Sequence, residues 1–301
     1  MSQPTIEKVS FGGWPNCYRL SNGESELIVT TDVGPRVIRY GFVGGQNLFY
    51  EKADELGKSG EPWWAMRGGH RLWASPEIRP DTYALDNGAV QAKISTTSVS
   101  LLQPVEPETG LQKEIALAYE GAGVTVTHRI SNQGKRPREL APWALSQMAK
   151  GGTGIVAFPA RGGHSEQLLP TNPLVMWAYT NFSDKRWLFT NQYILLKQDP
   201  AEPSPQKTGL FNTNTRAAYL LGRDLFIKRC QADPQAVYPD FHCSLEIFTN
   251  GDFLELETLG PLATLAPGAT TEHVERWTLH KDVRLGALSE TEIDRVIRPL
   301  F

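Results

Sequence analysis

Short runs of β-branched and apolar residues, each closed by a turn signal, follow one another through most of the chain. SELIVTT (25–31), VIRYGFV (37–43), AVQAKISTTSVSLLQ (89–103), LQKEIALAYE (111–120) and VTVTHRIS (124–131) are punctuated by SNG, VGP, DNG, PETG, GAG and NQG. GIVAFPA, PLVMWAY, YILLKQ, AAYLLGRDLFIKRC and a pair around TNGD come later. Runs of this length and composition read as strands. Many strands joined by short turns close into a sandwich or a barrel. No repeat of fixed period is present, which disfavours a propeller. The one helical pattern is SETEIDRVIRPL, with Ser289 as N-cap, Glu292 as its capping-box partner and Pro299 as the stop. The Pro-rich segment KQDPAEPSPQKTG (197–209) lies between strands and reads as a surface loop. An all-β chain in one domain, residues 1–301, is the expectation.

Composition narrows the functional classes. The 301 residues are 40% hydrophobic and 21% charged, a globular balance. The net charge is −3 with no block of Lys or Arg, which argues against a nucleic-acid groove or a membrane-surface patch. The densest basic stretch, GKRPREL (134–140), reads as a solvated turn. The segment MSQPTIEKVS has no apolar core of a signal peptide, so a cytoplasmic location is expected by default. Cys17, Cys230 and Cys243 are too few and too far apart for a disulfide framework. The histidines show no metal-ligand spacing, so no metal is expected. His128, His164, His273 and His280 read as packed, loop or closing-strand residues rather than ligands.

Asn250 and Gly251 form the strongest hairpin signal, and fit a two-residue type I′ turn. Counting outward places Glu246 opposite Glu255 and Ser244 opposite Glu257. One face then carries Cys243, Leu245, Ile247, Leu254 and Leu256, and is the core face. The other carries His242, Ser244, Glu246, Phe248, Phe253, Glu255 and Glu257. Glu246 opposite Glu255 is a like-charge pair that needs a cation (a bridging Ca²⁺ among them), a proton or water. His242 and Glu257 are diagonal neighbours, close enough to address two atoms of one small ligand. A solvated sheet face is the simpler reading of the same pattern.

FLELETLGPLATLAPGATTEHVERWTL (253–279) resembles the C-terminal signature of the aldose 1-epimerase, or galactose mutarotase-like, superfamily. There a Glu and a Thr on a strand are followed by a loop, L-x-PG and a closing strand. Here these are Glu257, Thr258, LAPG (265–268) and EHVERWTLH (272–280). LIVTTDVGPRVIRYGFVGGQNLFY (27–50) resembles the superfamily's opening strands. The likeness is closest to an uncharacterised branch that carries GGHRLW-x-x-PE and ELETLGP. It implies one large antiparallel super-β-sandwich and a small carbohydrate as ligand, with no metal or nucleotide cofactor.

The resemblance also implies a chemistry. A base takes the anomeric hydroxyl proton while an acid protonates the ring oxygen; the ring opens and recloses on the other face. The base falls on Glu257. The superfamily's Arg and nearby His fall on RGGHRLWASPE (67–77), which supplies Arg67, His70, Arg71 and Glu77. His70 and Arg71 are adjacent, so on a strand only one of them reaches a given face. The mid-chain His that serves as acid is missing: APWALSQMAKGG (141–152) offers Trp143, Ser146 and Gln147 instead. His70 or His242 are the candidate replacements, and Arg67, Arg71, Glu77, Trp143, Gln147 and Glu255 the candidate substrate contacts. Without an acid, the same scaffold would be a non-catalytic carbohydrate-binding protein. The eight tryptophans suit a sugar cleft, since aromatic faces stack on sugar C–H faces, and suit a core equally well.

Overall fold

The computed structural model describes residues 3–301. Two large antiparallel sheets face each other, as the strand-rich pattern requires. The first has eleven strands. Its N-terminal part runs Thr5–Phe11, Trp14–Ser21, Ser25–Thr30, Arg36–Phe42 and His70–Ser75. It continues with Arg138–Met148, Leu254–Leu259, Leu245–Thr249, Gln206–Leu210 and Leu174–Met176, and Ala263–Leu265 pairs with the start of Arg138–Met148. The second sheet has ten strands, with Asn214–Leu221, Asp224–Gln231, Thr270–His280, Gly123–Asn132 and Leu111–Glu120 at its centre.

Period-two alternation decides what lies between the sheets. Leu111–Glu120 alternates buried and half-buried residues along nearly its whole length. Leu245, Ile247, Leu254 and Leu256 from the first sheet meet Ile115, Val126, Tyr219, Phe226 and Trp277 from the second in one core. Burying apolar surface at about 25 cal/mol per Å² makes this layer the dominant stabilising term. The short helix Glu290–Val296 covers a smaller cluster on the outside of the second sheet, around Ile227, Ile293 and Ile297.

Several local expectations change. The run 89–103 is a hairpin, Gln91–Ile94 and Ser98–Leu102, closed where Ser95 N donates to Ser98 O at 2.9 Å. The loop read over 197–209 ends inside the sheet: Gln206–Leu210 is a strand buried at all five positions. Ser289 caps the C-terminal helix by accepting from Glu292 N. The Glu292 carboxylate instead accepts from Gly286 N and binds Arg295, so only half of the capping box forms.

The hairpin register also differs from the expected one. Glu246 pairs with Glu257, Phe248 with Glu255 and Thr249 with Leu254. The connection is therefore four residues, 250–253, and neither Asn250 nor Gly251 has positive φ. The cause is the Asn250 side chain. Its Oδ1 accepts from Asp252 N at 2.8 Å and Phe253 N at 3.1 Å, an Asx arrangement that replaces the type I′ turn. The register slips by two residues, which preserves side-chain faces where a slip of one would reverse them. The leucines stay in the core and the glutamates stay opposite, but Cys243 precedes the strand and packs with Trp73 and Trp143 on the outer side.

Candidate functional site

The outer face of the first sheet is not solvated. Alternation projects Arg71 and Trp73 from His70–Ser75, and Trp143, Leu145 and Gln147 from Arg138–Met148. Glu255 and Glu257 come from Leu254–Leu259, Glu246 and Phe248 from Leu245–Thr249, and Lys207 from Gln206–Leu210. Trp64, Tyr83 and Tyr179 close over them, leaving a cleft of about 340 Å³. Arg71, Trp73, Glu77, Trp143, Lys207 and Glu255 are in its wall. Glu246 is 1% exposed, Glu255 8% and Glu257 0%, so three carboxylates are buried on one patch of sheet.

Lys207 is the cation that this patch needs. Its Nζ lies 2.7 Å from Glu246 Oε2 and 2.8 Å from Glu257 Oε2, and 4.8 Å from the ring centres of Trp143 and Trp177. Burial would lower the Lys207 pKa, but the two glutamates outweigh it and raise it well above the usual lysine value. Trp143 Nε1 donates to Glu257 Oε2 at 2.8 Å. Burial raises Glu246 well above the ordinary carboxylate range despite Lys207.

Glu255 has a different setting. Gln147 Nε2 donates to its Oε1 at 2.9 Å, and Arg71 Nη2 stands 3.7 Å from the same oxygen. Burial, with the Glu257 charge beside it, pushes the Glu255 carboxyl up to about 7 against the pull of Arg71 and Lys207. The Arg71 guanidinium stacks 4.0 Å from the centre of Trp73, and burial lowers its pKa to about 10. Five buried atoms here have no hydrogen-bond or ion-pair partner among the described residues: Glu246 Oε1, Glu257 Oε1, Gln147 Oε1, Arg71 Nε and Arg71 Nη1. Unsatisfied buried groups are costly, and their grouping beside the cleft makes it the candidate ligand site.

A strained turn borders the patch. Asp240, Phe241 and His242 follow one another with φ of 51°, 57° and 75°. Left-handed backbone costs a non-glycine residue about 1–2 kcal/mol. The turn brings Asp240 beside Glu246 and Ser75, where burial raises its carboxyl pKa, and leaves Phe241 86% exposed.

The other sequence candidates separate. Arg71, Glu77, Trp143, Gln147, Glu255 and Glu257 come together. Arg67 does not: buried in a left-handed turn, it binds Asn87 Oδ1 at 2.5 Å and the Glu61 carboxylate. Gly68 and Gly69 continue that turn with φ of 91° and 79°, and a Cβ at either would strike the Tyr50 or Val37 carbonyl. His242 stacks on Phe211 at 4.4 Å and does not line the cleft. His70 points the opposite way from Arg71, into the sandwich. Lys207 was hidden in the sequence because its strand follows a Pro-rich segment directly.

His70 belongs to a chain of buried polar groups whose hydrogens can be assigned. His128 Nδ1 must donate to His273 O at 3.0 Å, so His128 Nε2 accepts from His70 Nε2 at 2.7 Å. His70 Nδ1 then accepts from Ser146 Oγ at 2.9 Å. Thr258 donates to Glu275, so His273 Nε2 donates to Thr258 Oγ1 at 2.7 Å. Lys228 Nζ pairs with Glu275 Oε1 at 2.7 Å, both fully buried. His70, His128 and Glu275 have ligand atoms within 4.8 Å of one another, and each is already hydrogen-bonded or ion-paired within this network.

Burial lowers the pKa of all three histidines: His70 well below the usual value, His128 also below it, and His273 to about 3. An unfolded histidine takes a proton below about 6.5 that these refuse, so each removes stability as pH falls. Glu246, Glu255 and Asp240 act oppositely, because the native state holds protons that the unfolded chain has released above about pH 4. The two sets oppose each other between about pH 4.5 and 6.5, and below about 4 the histidines are joined by Glu275 and Asp86, whose carboxyls are held below the ordinary range. Urea unfolding across pH should show a shallow stretch above about pH 4.5, then a steep loss of stability below about 4. A steep fall already at pH 6 would contradict the cleft protonation described above.

No family model and no curated sequence matches the chain. Solved structures do. A galactose mutarotase-like protein from Lactobacillus casei superposes with a TM-score of 0.57 at 10% identity, over 88% of this chain and 100% of that one. A candidate aldose 1-epimerase from Klebsiella pneumoniae gives 0.61 at 14% identity, over 98% and 86%. Another from Escherichia coli gives 0.55 at 17% identity, over 88% and 99%. At these identities the likeness is one of architecture, and the chain has the galactose mutarotase-like super-β-sandwich fold.

Proposed function

We propose that the cleft binds a small carbohydrate and that the protein is a mutarotase- or epimerase-like isomerase of an aldose or modified sugar. The observation that carries this is the pairing of an aromatic wall with polar groups: Trp64, Trp73, Trp143 and Tyr179 around Arg71, Lys207 and Glu255, with the unsatisfied oxygens of Gln147 and Glu257 just behind the wall. Aromatic faces suit sugar C–H faces, and the polar atoms suit hydroxyls. Glu257 lies beneath Trp143 and Lys207, which both hold its Oε2 and both line the cleft. Its Oε1 is left to accept the anomeric proton, as the base. The fold neighbours named as mutarotase-like or epimerase-like agree with this class of reaction.

Anomer exchange followed by NMR over a panel of free and phosphorylated aldoses tests the reading. At least one sugar should equilibrate faster with the protein than without it; acceleration of none overturns isomerase activity. A second reading, carbohydrate binding without turnover, is favoured by one observation: neither His70 nor His242 lines the cleft, and Glu257 lies behind its wall. Saturable sugar binding with no acceleration selects it.

A further inference from the structure

The acid missing from the middle of the chain has a replacement two residues from the base. We infer, on the isomerase reading above, that Glu255 is the general acid that protonates the ring oxygen. Three observations carry this. Glu255 is the member of the buried glutamate patch that lines the cleft. It shares a strand face with Glu257, so the two carboxyls are neighbours, Glu255 at the cleft and Glu257 just beneath Trp143 and Lys207. The third is charge. Asp240, Glu246, Glu255 and Glu257 surround two cations, Lys207 and Arg71. Three buried carboxyls and the half-buried Asp240 against two cations leave an excess of negative charge that the low dielectric disfavours, so the patch favours holding protons.

The surroundings say which carboxyls hold them. Lys207 and Trp143 both donate to Glu257, an arrangement that suits the anion. Glu246 and Asp240 stand side by side, away from the cleft wall, where burial raises both carboxyls. Glu255 faces Arg71 only at 3.7 Å, and accepts one neutral donor from Gln147. It is the carboxyl set to hold a proton at the cleft, and two like groups in such different settings give the acid and base roles. The cleft's other titratable groups, Glu77, Arg79 and Tyr83, lie at its rim, where Tyr83 donates to Glu77 and Arg79 stacks on Tyr83.

The step balances. Glu257 takes the proton of the C1 hydroxyl, whose oxygen forms the carbonyl as the bond between C1 and the ring oxygen breaks. The released electron pair takes the proton of Glu255. Rotation about C1–C2 and the reverse transfers close the other anomer, and restore both carboxyls.

The experiment is the pH dependence of anomer exchange for wild type, Glu255→Gln and Glu255→Asp. Wild type should lose rate above about pH 7. Glu255→Gln should lower kcat by about 100-fold or more and abolish the alkaline limb, with a small change in KM. Glu255→Asp, which keeps a titratable carboxyl, should keep a limb and part of the rate. A Glu255→Gln variant with higher KM but unchanged kcat and pH profile shows a substrate contact only, and overturns the assignment. Acceleration of no sugar by wild type removes the isomerase reading itself. Its signature differs, because every variant then matches the uncatalysed rate.

Discussion

Replacing Lys228 by Met should lower the unfolding free energy by about 3–5 kcal/mol. The Lys228 ammonium is fully buried in the sandwich, 2.7 Å from Glu275 Oε1 and within 3.0 to 3.3 Å of Leu256 O, Ser146 Oγ and Ala144 O. Methionine fills the volume but supplies no charge. Glu275 would keep its bonds from Thr258 and Trp277 yet lose its cation. Burial alone would raise the Glu275 pKa, but Lys228 holds it well below the ordinary carboxylate range. Removing Lys228 therefore leaves a charge that must be protonated or tolerated. The double variant Lys228→Met with Glu275→Gln should be more stable than the single one, because no uncompensated charge remains. Denaturant unfolding of the three proteins measures this. A single variant within 1 kcal/mol of wild type, on the order of an ordinary surface change, would show that the pair is not buried as described.

Glu257→Gln should cut the rate of anomer exchange by about 100-fold or more. The amide can still accept from Trp143, so the shape of the cleft is kept. It cannot take a proton, and Lys207 is left with Glu246 alone. Sugar affinity should change far less than rate, since the loss falls on the transition state. A variant that exchanges anomers at the wild-type rate would remove Glu257 from the mechanism. It would leave the cleft as a binding site.

The fold was legible because it rests on local patterns. Turn residues at short intervals and period-two alternation require strands, and strands of this number require two layers. The separation of Leu254 and Leu256 from Glu255 and Glu257 was legible too, although the hairpin register was not. Asn250 bends the chain through its own side chain, a contact that the Asn-Gly pair does not reveal. An even slip hides such an error, because it keeps every residue on its face.

The site was legible in part. Arg71, Trp143, Gln147, Glu255 and Glu257 are near one another because they project from the same face of three adjacent strands, His70–Ser75, Arg138–Met148 and Leu254–Leu259. His70 looked equally suited to the cleft, yet one residue of alternation sends it to the core, where His128, 58 positions away, accepts its proton. Lys207 gave no signal, since its meaning lies wholly in the two glutamates it meets 39 and 50 residues onward.

What the sequence determined by itself is the alternation: which side chains share a face, and so which faces are apolar and which carry carboxylates. Only the tertiary structure decided what each face meets. It covered the glutamates with tryptophans and one lysine instead of water. Burial is a long-range property, and the charge state of a carboxyl depends on the dielectric and the neighbours that distant segments bring to it.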